Sequence, residues 1–209
     1  MTIKIKENEI VLFQGDSITD AGRNKDDFCN MGYGYAAMIS SWFNAIYPEK
    51  KVTFINKGIS GNRAIDLEER WEEDCIDLQP SWISILIGVN DCWRRYDSND
   101  PTSKESFKES YRVILQKCKE NLESKIILCE PFLLPFPEDR KKWREDLDPK
   151  IQAVRELAVE YQTLYLPLDG IFAQASTKRE AEFWAEDGVH PTQAGHALMA
   201  KAWLELLGM

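Results

Sequence analysis

The sequence predicts a three-layer α/β/α fold built on a five-stranded parallel sheet. Five short apolar runs alternate with helical patterns along the 209 residues, an order typical of a parallel sheet covered by helices on both faces. The middle runs are continuously apolar, as expected for strands that are buried on both sides. Composition does not shift along the chain and no repeat is present, so we expect a single domain over residues 1–209.

The five expected strands are short and rich in apolar residues. They are Ile10–Phe13, Val52–Ile55, Trp82–Ile87, Lys125–Cys129 and Thr163–Leu168. Helical stripes separate them. These stripes begin with Tyr35, Met38, Ile39, Trp42 and Ile46 and continue through residues 67–78, 107–122, 151–161 and 198–206. Thr102 and Glu105 have the spacing of a capping box, and we expect Thr192 to cap the last helix.

Two segments between these elements are expected to be extended loops, residues 92–101 and residues 131–144. Three prolines preclude a regular helix over the first half of the second segment. The same half contains the apolar side chains Phe132, Leu133, Leu134 and Phe136. We expect these side chains either to line a pocket or a subunit contact, or to cover the core.

The charge of the chain limits its partners. A formal net charge of -9 argues against nucleic acid or an anionic membrane, because both attract basic surfaces. We therefore expect a neutral small-molecule substrate, and the sequence is compatible with a homo-oligomer. Residues 1–9 lack the apolar segment of a signal peptide, and no apolar run reaches the roughly 20 residues of a membrane span, which favours a cytoplasmic protein.

The five cysteines do not form a recognisable framework. Their number is odd and no C-x-x-C pair is present, which favours reduced and mostly buried thiols over a zinc site or disulfides.

A candidate nucleophile follows the first expected strand. Gly15-Asp16-Ser17 comes directly after the apolar run, where a sharp turn would lift a side chain out at the carboxyl end of the sheet. We interpret Ser17 as a nucleophile, although the same three residues are ordinary turn formers.

Two further stretches follow the second and third strands. Around Gly61, two glycines precede a polar helix start, an arrangement that presents backbone N–H groups to an oxyanion or simply makes a tight turn. Asn90 follows a buried strand, where its amide can donate to an oxygen at the sheet edge or cap a helix.

A base and its acid are expected near the C-terminus. The chain contains two histidines, His190 and His196, so a histidine base must be one of them. A separation of three residues allows Asp187 to bond Nδ1 of His190, which leaves Nε2 free to take a proton from Ser17. His196 has no acid at similar spacing and is expected to be structural.

Together these stretches resemble the four blocks of the SGNH (GDSL) hydrolases. Gly15-Asp16-Ser17-Ile18, Gly61, Gly88-x-Asn90-Asp91 and Asp187-x-x-His190 occur in the order of the family. The resemblance implies a flavodoxin-like sheet and ester hydrolysis. It assigns Ser17 as nucleophile, His190 as base and Asp187 as its acid, with an oxyanion hole formed by Ser17, Gly61 and Asn90. The family usually has Leu where Ile18 stands, which is a conservative difference.

A narrower resemblance concerns the intracellular bacterial acetylxylan esterases of this superfamily. It lies in Asn56–Asn62, in Arg70–Asp74 and in the run from Ile87 to Tyr96. It implies removal of O-acetyl groups from acetylated xylo-oligosaccharides through an acetyl-enzyme, without a metal or cofactor. The substrate-binding candidates are Asp16, Trp93, Arg94, Tyr96 and Trp184, with Asp16 also a candidate support of the turn and Trp93 also a candidate packed aromatic.

Two other interpretations remain open at this point. A thioesterase, lysophospholipase or short-chain lipase would share the four blocks and differ in its acyl pocket. A nucleotide- or flavin-binding module would share the fold, but the chain has no G-x-x-x-x-G-K-[ST] or G-x-G-x-x-G motif.

Overall fold

The computed structural model describes residues 3–209, and five parallel strands form its central sheet. In chain order the strands are β1 (Ile10–Gly15), β2 (Thr53–Asn56), β3 (Trp82–Leu86), β4 (Lys125–Cys129) and β5 (Leu164–Leu166). Their order across the sheet is β2-β1-β3-β4-β5, and every neighbouring pair is parallel. The predicted fold class is therefore confirmed.

Helices cover both faces of the sheet. They are α1 (Ser17–Asp20), α2 (Tyr35–Ile46), α3 (Ala64–Glu69), α4 (Val89–Asp97), α5 (Lys104–Asn121), α6 (Arg140–Glu160), α7 (Leu168–Ser176), α8 (Ala181–Trp184) and α9 (Gln193–Leu206). A 3₁₀ turn spans Pro48–Lys50, and a short π-helix spans Glu72–Ile76. None of the helices within residues 3–209 is both long and apolar enough to cross a membrane.

Two buried clusters lie on opposite faces of the sheet, because side chains alternate along each strand. In β1, Leu12 belongs to the cluster under α3 and α5, whereas Val11 and Phe13 belong to the cluster under α2 and α9. Both sides of β1 are therefore buried, which explains why its sequence is continuously apolar.

The buried face of α2 differs from the predicted stripe. Tyr35, Ile39 and Phe43 are buried, whereas Trp42 and Ile46 are 61% and 48% exposed. The core lies against the stripe at spacing i, i+4, i+8 that starts at Tyr35. Trp42 and Ile46 lie on the adjacent stripe with Met38 and line a surface groove beside α9.

Residues 92–101 are not an extended loop, and that expectation is wrong. Most of the segment belongs to α4, which begins just after Gly88. Gly88 has φ +130, and a Cβ there would lie 3.1 Å from the Phe107 ring, so both its conformation and its surroundings favour glycine. The cap of α5 also differs, since Ser103 rather than Thr102 accepts the N–H of Ser106, at 3.0 Å.

The segment after β4 is a loop through Asp139, and α6 begins at Arg140, so the expectation of a loop over residues 131–144 is wrong for its last five residues. Phe132, Leu133 and Leu134 are buried, and Phe132 stacks on Phe172 with ring centroids 4.3 Å apart. These three side chains therefore cover the core, and a role as the lining of a subunit contact is excluded for Phe132. Four of the five cysteines are buried and all five are free, as the sequence predicted.

Candidate active site

The turn after β1 positions Ser17 at the carboxyl edge of the sheet. A Cβ on Gly15 would lie 2.4 Å from the carbonyl oxygen of Leu86, so only glycine fits where the chain turns. Asp16 then caps α1, because its Oδ1 accepts the N–H of Ile18 at 3.0 Å. Ser17 is the first residue of that helix, and its hydroxyl faces the loops of the sheet edge.

The hydroxyl of Ser17 is the first member of a hydrogen-bonded chain. Ser17 Oγ lies 3.0 Å from Nε2 of His190, and Nδ1 of His190 lies 2.9 Å from Oδ2 of Asp187. The second carboxylate oxygen of Asp187 accepts the backbone N–H groups of Val189 and His190 at 3.0 and 2.8 Å. The structure thus brings together three residues that are 173 positions apart at their extremes.

The electrostatics of this chain favour an acid that stays ionised beside a more basic imidazole. Partial burial would raise the pKa of Asp187, but the hydrogen bonds from His190 and from the backbone outweigh it and hold that pKa well below its usual value. The bond to Asp187 raises the pKa of His190, and the burial of the ring opposes the rise only in part. Asp187 therefore stabilises the protonated form of His190.

The turn that carries Asp187 and His190 is held from several sides. A bridge between Ala185 and Pro191 closes it at the base. Gly188 has φ +84 and lies so close to the loop after β4 that a Cβ would meet the carbonyl oxygen of Phe136 at 2.1 Å. That same loop donates the N–H of Leu134 to the carbonyl of Gly188 at 2.8 Å. The loop after β4 is thus a support of the site.

Sequence reasoning missed Arg140. Its Nε donates to the carbonyl oxygen of Asp187 at 3.2 Å, and its guanidinium lies 4.0 Å from the ring centroid of Trp143. The only sequence signal was its place at the end of a loop that was expected to be functional. In the sequence, a single arginine at this position looks like an ordinary solvent-exposed side chain. Its contact with the turn of Asp187 is visible only in the folded structure.

Two backbone N–H groups at the edge of the site are free to donate. Within residues 3–209, the N–H groups of Ser17 and Gly61 have no protein acceptor. Gly61 has φ +87, and nothing lies within 4 Å of the position that a Cβ would take. The turn therefore needs glycine for its conformation, and its N–H side stays uncrowded.

Asn90 lies in the first turn of α4 and is buried at 4% exposure. Its Nδ2 donates to the carbonyl oxygen of Asn62 at 3.0 Å, so one of its two amide hydrogens is used inside the protein. The second hydrogen is available to a bound oxygen. Asn62 itself is held by Nε of Arg70, which donates to its side chain at 2.9 Å.

Trp93 lies beside His190. Its half-buried ring is 5.8 Å from the ring of His190 and 5.2 Å from the ring of Trp143. Arg140 covers the same tryptophan at 5.2 Å. Trp93 is thus both packed against neighbours and adjacent to the site, so the two interpretations offered by the sequence are compatible.

Arg94 and Tyr96 point to partners within the protein. Arg94 forms an ion pair with Asp97 at 2.9 Å. Tyr96 stacks on Trp143 with ring centroids 4.9 Å apart, and its hydroxyl donates to the carbonyl of Lys142 at 3.1 Å. The Arg94 guanidinium also lies 5.9 Å from the ring centroid of Trp93, so Arg94 borders the residue beside His190, whereas the Tyr96 ring faces Trp143.

Trp184 and Asp16 have partners within the protein. Trp184 packs edge-on against Phe183, and its Nε1 donates to the carbonyl of Arg179 at 3.1 Å. Asp16 is 1% exposed, so its carboxylate lies inside the protein and supports the turn. Burial raises the pKa of Asp16 to about 7.

His196 is structural, as the sequence predicted. It is 4% exposed, and its Nδ1 accepts the N–H of Tyr35 at 3.2 Å, which joins α9 to the start of α2. Burial lowers the pKa of His196 to about 4, so the ring is neutral around pH 7.

Comparison with known proteins identifies the family. The GDSL-like lipase/acylhydrolase family matches residues 13–198, a range that holds every residue of the site. The chain belongs to this family. Acetylxylan esterase from Geobacillus stearothermophilus is 37% identical over 215 residues, which cover 99% of this chain and 97% of that GDSL-like enzyme.

Solved structures of GDSL-like proteins agree in fold along the whole chain. A protein from Parabacteroides merdae described as a GDSL-like lipase has a TM-score of 0.94 and 37% identity, and covers 100% of this chain and 99% of its own. A catalytic mutant of the Geobacillus acetylxylan esterase has a TM-score of 0.91 and 35% identity, with 99% of this chain and 97% of that chain covered. The solved forms of that esterase include catalytic mutants with alanine at a serine, an aspartate and a histidine. The chain is a carboxylic-ester hydrolase.

Proposed function

We propose that this esterase removes O-acetyl groups from acetylated xylo-oligosaccharides through a Ser17-His190-Asp187 triad. The observation that carries the proposal is the continuous hydrogen-bonded chain from Ser17 Oγ through His190 to Asp187, at 3.0 and 2.9 Å. We further propose that residues 1–209 act as one domain. Acyl transfer of this kind requires no metal or cofactor.

The first step forms the acetyl-enzyme. Ser17 Oγ attacks the acetyl carbonyl carbon while Nε2 of His190 takes the hydroxyl proton. The imidazolium that forms is stabilised by Asp187, whose hydrogen bonds keep it ionised. His190 then gives the proton to the sugar oxygen, the bond from that oxygen to the acetyl carbon breaks, and the deacetylated sugar leaves.

The negative charge of the tetrahedral intermediate requires donors on the other side of the serine. The free N–H groups of Ser17 and Gly61 and the remaining amide hydrogen of Asn90 are suited to this task. A single donor of this type contributes roughly 2.7–4 kcal/mol to the stability of a comparable transition state. In the second step, water attacks the acetyl-enzyme with His190 as base, and acetate leaves.

Two observations support an acetylated carbohydrate as the substrate. The similar enzyme from Geobacillus is an acetylxylan esterase, and one solved form is called an acetyl-xylooligosaccharide esterase. Trp93 offers the face or edge of an aromatic ring 5.8 Å from the base, and aromatic rings pack well against the apolar faces of sugars.

The rival class of lysophospholipases, thioesterases and short-chain lipases depends on an apolar acyl pocket. The sequence offered residues 132–136 for such a pocket, but Phe132, Leu133 and Leu134 are buried in the core. The burial of these three side chains disfavours them as the lining of a long acyl pocket.

Replacement of Ser17 tests the proposal. Ser17→Ala should abolish acetate release from acetylated xylo-oligosaccharides and labelling by an organophosphate, with the fold unchanged in circular dichroism. Ser40→Ala is a matched control on α2, since the Ser40 hydroxyl bonds only the carbonyl of Ala37 in its own helix. It should retain full activity.

A substrate panel decides the leaving group and the acyl chain. We expect turnover of acetylated xylo-oligosaccharides to exceed that of octanoyl esters and of acyl-CoA. Faster turnover of octanoyl esters or acyl-CoA would instead indicate a lysophospholipase, thioesterase or short-chain lipase. Unchanged activity of Ser17→Ala would refute the triad itself.

A further inference from the structure

Asp91 is a buried acid that the proposed mechanism does not use. It is the residue after Asn90 in the first turn of α4, and none of its surface is exposed. Oδ2 accepts the backbone N–H of Ala64 at 3.0 Å. Within residues 3–209, Oδ1 is buried without a partner. A buried carboxyl group with one unpaired oxygen costs free energy of folding. The role of its one hydrogen bond, to the N–H of Ala64, therefore needs an explanation.

The bond from Asp91 is one of two that join the same pair of segments. Asn90 donates to the carbonyl of Asn62, and Asp91 accepts the N–H of Ala64, each at 3.0 Å. Two consecutive residues of α4 thus bind Asn62 and Ala64, which lie one and three residues after Gly61. We call this pair of hydrogen bonds the α4 brace.

The other hydrogen bonds of the Gly61 loop lead to elements other than α4. The N–H and hydroxyl of Ser60 donate to Oδ2 of Asp20 at 3.0 and 3.1 Å, and Arg70 donates to the Asn62 side chain at 2.9 Å. Gly61 has no side chain, and nothing lies within 4 Å of its Cβ position. Within the loop, Asn62 N–H bonds the carbonyl of Ile59 at 3.2 Å, which shapes the turn but does not tie it to α4. The α4 brace is the direct hydrogen-bonded link between this turn and the helix that carries Asn90.

We propose that Asp91 is a positioning residue that fixes the Gly61 N–H relative to the Asn90 amide through its bond to Ala64. The proposal rests on the proposed function, in which these two groups bind the same oxyanion. An oxyanion hole acts only when its donors are held in place before the charge develops, since reorganisation would cost the energy that the donors supply. Loss of the bond to Ala64 should therefore lower kcat and leave KM nearly unchanged.

The brace requires an acceptor at Oδ2 rather than a negative charge. Burial raises the pKa of Asp91 to about 7, so the neutral form is accessible near pH 7. Asparagine has the same shape and retains an oxygen for the N–H of Ala64. Leucine has the same branching at Cγ and no acceptor.

The test compares Asp91→Leu with Asp91→Asn in steady-state hydrolysis of a chromogenic acetate. We expect Asp91→Leu to lose about 10- to 100-fold in kcat, part of the 10²–10³ that removal of a whole donor costs, with KM within about twofold. Asp91→Asn should stay within about threefold of the wild type. Equal losses in the two variants, or a wild-type kcat in Asp91→Leu, would overturn the proposal.

A second variant removes the other partner of the bond. Ala64 is the first residue of α3, where proline is tolerated, and Arg63 before it has the extended conformation that proline requires, with φ -103 and ψ 176. Ala64→Pro lacks the N–H, so it should lower kcat as Asp91→Leu does, and the double variant should lose no more than either single one. A wild-type kcat in Ala64→Pro would overturn the proposal even if Asp91→Leu did not fold.

The triad and the positioning role of Asp91 can be refuted separately. If Ser17→Ala keeps its activity, the triad is wrong and the brace has no oxyanion to serve. If Ser17→Ala is inactive while Asp91→Leu and Ala64→Pro both turn over normally, the triad stands and only the role of Asp91 is refuted.

Discussion

Replacement of Asp187 by asparagine should leave the turn intact but prevent His190 from acting as the base. In the wild type, Oδ1 of Asp187 accepts two backbone N–H groups, those of Val189 and His190, while Oδ2 faces Nδ1 of the imidazole at 2.9 Å. The amide oxygen of asparagine must take the Oδ1 position, because only an acceptor satisfies two N–H donors. The NH₂ group then points at Nδ1.

The consequence is a change of tautomer. An amide N–H that donates to Nδ1 leaves the ring proton on Nε2, which lies 3.0 Å from Ser17 Oγ. A protonated Nε2 cannot accept the serine proton, so base catalysis is lost although every heavy atom keeps its place. Variants of this kind lose about 10⁴ in kcat, which corresponds to about 5 kcal/mol at 1.36 kcal/mol for each factor of ten.

The assay is kcat for a chromogenic acetate at saturating substrate, with thermal unfolding measured on the same samples. Asp187→Asn should unfold close to the wild-type temperature, because the two backbone bonds survive. Asp187→Ala is the comparison that loses the backbone bonds as well, and it should be less stable. A kcat for Asp187→Asn within tenfold of the wild type would show that Asp187 does not set the tautomer of His190.

Two further predictions concern pH. Activity needs a neutral His190, whose pKa is raised mainly by Asp187, so kcat/KM should fall as the pH drops through a midpoint above the usual histidine value of about 6.5; a midpoint below that value would contradict the geometry. For His196 the shift has the opposite sign, because burial lowers its pKa to about 4. As the pH falls, the unfolded chain therefore binds a proton at this residue at a higher pH than the folded protein does. The contribution of His196 to stability is complete above about pH 6.5 and is lost as the pH falls towards 4, by at most about 3 kcal/mol. In His196→Asn, which keeps an acceptor for the N–H of Tyr35, urea unfolding at pH 7 and pH 4.5 should differ by less than in the wild type; equal differences would refute this.

The strands were predictable because burial on two faces has a direct sequence signature. Phe13 and Leu12 are adjacent, face opposite clusters and are both apolar, so β1 reads as a continuous run. The helix of residues 89–97 was not predictable in the same way. Its buried residues include Asn90 and Asp91, which are polar and therefore interrupt the apolar period on which the prediction depends.

The residues at strand ends were predictable for a topological reason. The carboxyl ends of parallel strands meet at one edge, so Ser17, the turn of Gly61 and Asn90 were expected near one another. Side chains that act from a helix face were harder to assign. Trp93 reaches His190 while Tyr96, one helical turn later, turns to Trp143, and this difference depends on how α4 packs against α6.

The residues that hold the site in place could not be predicted from the sequence. Arg140 bonds a backbone carbonyl, and backbone carbonyls carry no residue identity that a pattern could reveal. Asp91 was visible as part of a motif, but its bond to the N–H of Ala64 is also a backbone contact. Sequence patterns thus indicate groups that face a substrate, whereas packing decides which groups hold them.

The distance along the chain between Ser17 and His190 has a consequence for biosynthesis. Ser17, the proposed nucleophile, leaves the ribosome early, whereas His190, the proposed base, is made 173 residues later. All five strands can be present while the growing polypeptide still lacks a base. The hydrogen bond from Tyr35 to His196 then joins α9 to α2. By the proposed mechanism, a nascent chain that ends before His190 therefore cannot cleave an ester, however much of its sheet has been made.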